Sequence, residues 1–141
     1  MRKEASLVLP VRREDAWTLV SEPFHLPDWW PGYTGVEPGR RGLEENARWT
    51  VVRAAFPGLM RKPHGTGLII IRRVSPASEL SWHDLKQKLD MGIRFEDEGR
   101  ETTATAWVSG PFWRMYAEGV RSLPTKAVAR LQDLCDTAFG L

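Results

Sequence analysis

The sequence predicts an α+β domain: a curved antiparallel sheet of about seven strands, two short helices near its start, and a long C-terminal helix over its concave face. Three observations predict it. Short segments of alternating apolar and polar residues recur from residue 5 to residue 109. Two brief helical patterns follow the first of them. The last 18 residues then switch to helical spacing. A sheet with one apolar face needs a cover, and the terminal helix is the only element large enough to supply it. The length of 141 residues fits one domain spanning 1–141.

Residues 5–11 place Ala5, Leu7, Leu9 and Val11 on one face of a half-buried strand. Pro10 near its end suggests an edge position. Residues 13–20 form a short helix with Ala16, Trp17 and Val20 on its apolar side and Glu14 and Asp15 in the first turn. A second helical piece covers 22–30, with Pro23 in its first turn and Pro31-Gly32 ending it. Strands follow at 33–36, 47–51, 67–74, 80–85, 88–95 and 102–109. Residues 96–101 read as a polar turn. Residues 54–66, with Pro57-Gly58 and Pro63, read as a loop unusually long for a hairpin. Leu123, Ala127, Val128, Leu131, Leu134, Cys135 and Ala138 then form the stripe of a helix of about four turns that ends near Gly140.

Composition narrows the function classes. The hydrophobic fraction of 42%, with 12 Gly added, is ordinary for a globular chain. Twenty basic residues oppose eighteen acidic ones, so a net charge of +2 does not argue for nucleic acid or an anionic membrane as the main partner. The Arg doublets are dispersed, which also weighs against a single-strand stacking channel. The longest aliphatic run is Leu68-Ile69-Ile70-Ile71, far short of a membrane span. Residues 1–10 lack the apolar stretch of a signal peptide, so a soluble, cytoplasmic protein is expected, as monomer or homodimer. A lone Cys135 excludes an internal disulfide or a CxxC site. The three His form no metal motif, and no nucleotide-binding glycine loop is present, so no metal and no cofactor are expected. Seven Trp, five Phe and two Tyr must be buried in a core or around a ligand.

Strand parity selects candidate inward side chains. In 88–96, Leu89, Met91, Ile93 and Phe95 share the apolar face. If Lys86-Gln87 is a two-residue turn, Trp82 lies opposite Met91 and Asp84 opposite Leu89, so Leu80, Trp82 and Asp84 face inward. Trp49 and Val51 form another inward pair. On the last strand two sets compete: Trp107 with Thr105 and Thr103, or Ala104, Ala106 and Val108. Asp84 either enters an apolar space or lies at the strand end in water. Arg72, which shares the parity of Ile70 and Val74, would reach across to it. His83 faces away from this side.

Val11-Arg-Arg-Glu-Asp-Ala-Trp17 leads to Leu26-Pro-Asp-Trp-Trp-Pro-Gly32, Val74-Ser-Pro76 leads to Leu80-Ser-Trp82, Gly99 is followed by Thr102-Thr103, and the terminal helix completes the pattern. These motifs and the order of elements resemble the helix-grip fold of the START-like, Bet v 1-like superfamily, in particular its polyketide cyclase/dehydrase and lipid-transport branch. It implies a cavity between helix and sheet that holds a hydrophobic small molecule. The lining would be Trp30, Trp49, Val51, Ile70, Trp82, Met91, Ile93, Phe95, Trp107 and Phe112, with Leu123, Ala127 and Leu131 from the terminal helix. Every one of these positions also suits core packing, the commoner role of such rings on a concave sheet face.

Three functions follow as expectations. The first is binding of a lipid- or polyketide-like molecule without covalent chemistry. The second is an enzyme of the polyketide cyclase/dehydrase kind, with Asp84, Arg72 and Tyr116 as catalytic candidates; the resemblance places Tyr116 beside the cavity. The third is a protein-interaction module similar to the Hsp90-activator branch. Fold alone does not choose among them.

Overall fold

A computed structural model describes residues 1–53 and 65–140. Seven strands form one antiparallel sheet: β1 (Arg2–Leu9), β2 (Tyr33–Glu37), β3 (Arg48–Arg53), β4 (Thr66–Ser75), β5 (Glu79–Asp84), β6 (Leu89–Glu98) and β7 (Glu101–Ser109). Their spatial order is β1-β7-β6-β5-β4-β3-β2. Everything from β2 to β7 is a meander, and β1 closes on β7. Between β1 and β2 lie α1 (Arg13–Val20), a 3₁₀ turn (Pro23–His25) and α2 (Leu26–Trp29). After β7 come α3 (Phe112–Ala117) and α4 (Leu123–Phe139). The α+β, helix-covered sheet expected from the sequence is present. The expected 54–66 loop falls largely outside the described residues.

Local chemistry explains the boundaries. Pro10 follows β1 directly and sits on an edge strand, where a missing N–H is tolerated. The expected polar turn at 96–101 shrinks to Gly99-Arg100, because Gly99 adopts a left-handed conformation (φ 68°) that closes the hairpin tightly. Gly140, also left-handed, ends α4, and its N–H donates to the Asp136 carbonyl. Residues 112–117, for which the pattern predicts no element, form the short helix α3.

Helix α4 packs on β1, β7 and α2. Ala127, Val128, Leu131 and Cys135 are its buried face. Opposite them, β7 offers Ala104, Ala106 and Val108, all fully buried. These small side chains let the helix approach the sheet closely, and they decide between the two faces left open above. Trp107 therefore points to the other side of the sheet. There it lies over Gly92, its partner across β6, where a Cβ would come within 2.8 Å of the indole. The Arg2 guanidinium covers the ring at 4.2 Å. Trp107 is thus not part of the concave lining.

Strand β4 corrects a second expectation. Its pairing to β5 runs Ile69↔Asp84, Ile70↔His83 and Ile71↔Trp82, then shifts so that Arg73 opposes Ser81 and Val74 opposes Leu80. Arg72 is the extra residue of a bulge, and the parity of the strand reverses there. Ile69 and Ile71 are fully buried on the concave side, whereas Ile70 is only half-buried and Arg72 is exposed. Ile70 and Arg72 therefore do not face the interior.

Candidate functional site

One buried polar cluster stands out within the apolar interior, at the end of the sheet where β2 begins and β3 and β5 end. Asp84 closes β5 opposite Leu89, as the alternation of β5 and β6 predicts. Its side chain is fully buried. Trp82 likewise opposes Met91. The connection is wider than a two-residue turn: Lys88 takes a left-handed conformation (φ 55°) and donates its N–H to the Asp84 carbonyl at 2.7 Å.

The Asp84 carboxylate binds on both oxygens. Oδ1 accepts from Arg53 Nη2 at 2.6 Å and from the backbone N–H groups of Lys86 and Gln87 at 3.1 and 2.9 Å. Oδ2 accepts from the Tyr33 hydroxyl at 2.9 Å. That hydroxyl in turn accepts from Trp82 Nε1 at 3.1 Å. Arg53, rather than Arg72, is thus the cationic partner. The two arginines lie on different strands, and only the Arg53 side chain runs along the concave face.

A glycine makes that reach feasible. Arg53 ends β3 with the parity of Val51 and Trp49, and β4 separates it from β5. On β4 the position facing the guanidinium is Gly67, where an added Cβ would lie 3.0 Å from Arg53 Nη2. The bare strand gives the side chain a path to Asp84. Tyr33 is paired with Arg53 across β2 and β3, so both groups converge on the same carboxylate.

Electrostatics fix the protonation of the phenol. Burial, and then the negative charge of Asp84, raise the Tyr33 pKa well above its ordinary value near 10. Tyr33 therefore remains a neutral hydrogen-bond donor throughout the physiological range. It orients groups and does not serve as a base.

Aromatic rings wall this cluster. Trp29, Trp30 and Trp82 are buried and pack edge to face in a triangle, with centroid separations of 6.0, 5.9 and 5.1 Å. Trp49, Val51, Met91, Ile93 and Phe95 are buried on the same side of the sheet. Ala127 and Leu131 are buried beneath α4, with Leu123 partly buried at its start. Leu123 Cδ1 and Trp30 Nε1 both crowd Gly32, where a Cβ would come within 3.4 and 3.1 Å of them. Among the described residues, the buried Nε1 atoms of Trp29 and Trp30 and the Nε of Arg53 have no hydrogen-bond acceptor.

Other candidates lie elsewhere. Tyr116 and Phe112 are on the surface of α3, 60% and 59% exposed, because the short helix turns only Met115 inward. His83 faces outward and pairs with Asp90 at 2.9 Å. His25 Nδ1 meets the Leu19 carbonyl at 2.9 Å, a connection within the helical segment. His64 lies outside the described residues. No group of three or more His, Cys, Asp or Glu is placed to hold a metal ion among the described residues. No described helix is long and apolar enough to cross a membrane.

Sequence reasoning missed Tyr33 and Arg53. Tyr33 was readable only as the first residue of a short strand. Arg53 stands two residues beyond the predicted end of its strand. A usable signal was the pattern around it: an inward parity continued from Trp49 and Val51, facing a glycine at 67.

Neither a protein-family model nor a curated protein sequence matches the chain. Solved structures do. Protein Ms6760 from Mycobacterium smegmatis is similar with a TM-score of 0.73 at 15% identity, over 97% of this chain and 92% of that one. Protein NE0264 from Nitrosomonas europaea gives 0.75 at 14% identity, over 100% and 97%. DR_A0006 from Deinococcus radiodurans gives 0.70 at 13% identity, over the whole of both chains. At such identities the likeness concerns the fold alone, and that fold is helix-grip-like: a seven-stranded antiparallel sheet with a C-terminal helix.

Proposed function

We propose that the protein binds a hydrophobic or aromatic small molecule bearing an oxygen acceptor, between the sheet and the C-terminal helix, as the resemblance to the START-like superfamily implies. The observation that carries the reading is the polar cluster of Arg53, Asp84 and Tyr33 set in an aromatic interior. A buried ion pair is a poor source of stability, since well-packed apolar residues do as well or better. A binding site, in contrast, uses a few placed polar groups in an apolar wall to orient its ligand. The acceptor-free N–H groups of Trp29, Trp30 and Arg53 supply donors only, which suits a carbonyl or carboxylate oxygen.

Binding is favoured over polyketide cyclase/dehydrase chemistry by the state of the cluster. The Tyr33 phenol is kept protonated, and Asp84 already accepts four hydrogen bonds. A protonated phenol is a poor base, and both Asp84 oxygens are already engaged, so neither group is placed to abstract a proton from a ligand. Arg72 and Tyr116 are exposed and carry no part of this proposal.

Native mass spectrometry tests it. The purified protein is incubated with a small-molecule extract of its source cells. A one-to-one adduct, released on denaturation and lost in Arg53→Met, is the expected result. An extract that leaves the mass unchanged, or an adduct retained in full by Arg53→Met, refutes the reading. A bound mass that changes with time would instead favour the enzyme.

A further inference from the structure

Eight large apolar side chains are well exposed among the described residues, and five of them gather at one end of the molecule: Met1, Leu85, Phe112, Trp113 and Tyr116. Backbone contacts bring their segments together. The Gly110 N–H donates to the Met1 carbonyl at 3.0 Å, beside the start of α3. Arg114 Nη1 donates to the Gln87 carbonyl at 3.4 Å, which ties α3 to the turn carrying Leu85. Helix α3 is inverted relative to an ordinary surface helix. It buries Met115 and turns Phe112, Trp113 and Tyr116 outward, each about 60% exposed.

The charges around these rings are predominantly positive. Residues 85–88 supply Lys86 and Lys88, and residues 110–123 supply Arg114 and Arg121 against a single acid, Glu118. Among the described residues no salt bridge engages any of the four cations. Two of them lie on the exposed rings: Arg114 over Trp113 at 4.7 Å and Arg121 over Tyr116 at 4.4 Å.

We infer that this face docks on an anionic lipid bilayer surface. Trp and Tyr favour the headgroup level of a bilayer, where an apolar ring and a polar edge are both accommodated. Basic side chains beside them are attracted to anionic headgroups. A second copy of the chain fits less well, because a two-fold contact would set the cations of one face against the same cations of the other. The inference does not depend on what the interior binds.

Co-sedimentation with phosphatidylcholine vesicles, with and without phosphatidylglycerol, tests it on the full chain. Binding is expected only with phosphatidylglycerol and falls as salt rises. Arg114→Gln and Arg121→Gln are each expected to weaken it about fivefold. Phe112→Ser with Trp113→Ser removes it, while circular dichroism shows the fold retained. In a second measurement, brominated lipid quenches the tryptophan emission of the native protein and quenches that of Trp113→Phe much less. Absence of phosphatidylglycerol-dependent binding overturns the inference. So does equal binding by the α3 variants, or binding of an acidic protein by this face without binding of vesicles.

Discussion

Under α4 the concave face of β7 presents Ala104, Ala106 and Val108, whereas β5 presents Leu80, Trp82 and Asp84 on the same face. The two regions share a sheet, and both are thoroughly buried. The first is low and wholly apolar, so a helix can lie on it. Ala127, Val128, Leu131 and Cys135 complete a dry contact there. The second is tall and carries an ion pair, a phenol and indole N–H groups. Small residues bring the long helix in on one side, and the larger ones on the other side hold the polar chemistry. The first region serves stability, and the second is where the proposed ligand site would draw its specificity.

Breaking the ion pair should have the largest effect. Asp84→Asn removes the charge that compensates the mostly buried Arg53 guanidinium, and we expect a loss of about 3 kcal/mol in urea unfolding. The double variant Arg53→Met, Asp84→Leu sharpens the comparison. It replaces the pair instead of orphaning one partner, so it should recover most of that loss while abolishing ligand capture. Next, Ala106→Leu forces extra volume beneath α4 and should destabilise by about 2 kcal/mol, whereas Met91→Leu on the taller side should change stability by less than about 1.5 kcal/mol. Tyr33→Phe removes one donor to Asp84 and the acceptor of Trp82 Nε1. A loss of about 1 to 2 kcal/mol is expected.

The smallest effect is a pH dependence on the apolar side. Burial, chiefly, pushes the Cys135 thiol up to about 11. The unfolded chain gives up this proton first, at its ordinary thiol value. Stability from the neutral thiol is therefore full below that value and is lost as pH rises toward about 11. Chemical denaturation across this range should show the decline, and Cys135→Ala should flatten part of it. Tyr33, whose raised pKa acts in the same direction, adds to the decline at higher pH.

Much of the fold was legible because alternation and helical spacing report which side is buried. The registers Trp82↔Met91 and Asp84↔Leu89, and the stripe of α4, follow directly from them. What was not legible depends on contacts distant in sequence or on local irregularity. Nothing in Ile69-Ile70-Ile71-Arg72-Arg73 says which Ile faces in or marks a bulge, yet Arg72 follows Ile70 outward and the inserted residue brings Val74 to the inner side. Strand β7 has apolar residues on both faces, and Gly92 across the ladder is what receives Trp107. At its strand end Asp84 reads more readily as a solvated carboxylate than as a buried one, because its partners Arg53 and Tyr33 stand 31 and 51 positions away. Helix α3 was hidden by its own composition: three of its six residues are exposed aromatics, the reverse of the usual helical pattern.

The measurement that bears most directly on the account is an NMR titration that follows the tryptophan indole N–H signals while 2-naphthoate, an aromatic body with a carboxylate, is added. If the aromatic interior beside Arg53 and Asp84 is a ligand site, the Trp29 and Trp30 signals shift saturably, those of Trp107 and Trp113 stay still, and naphthalene binds more weakly. Shifts confined to Trp107 or Trp113, or equal binding of naphthalene, would contradict it.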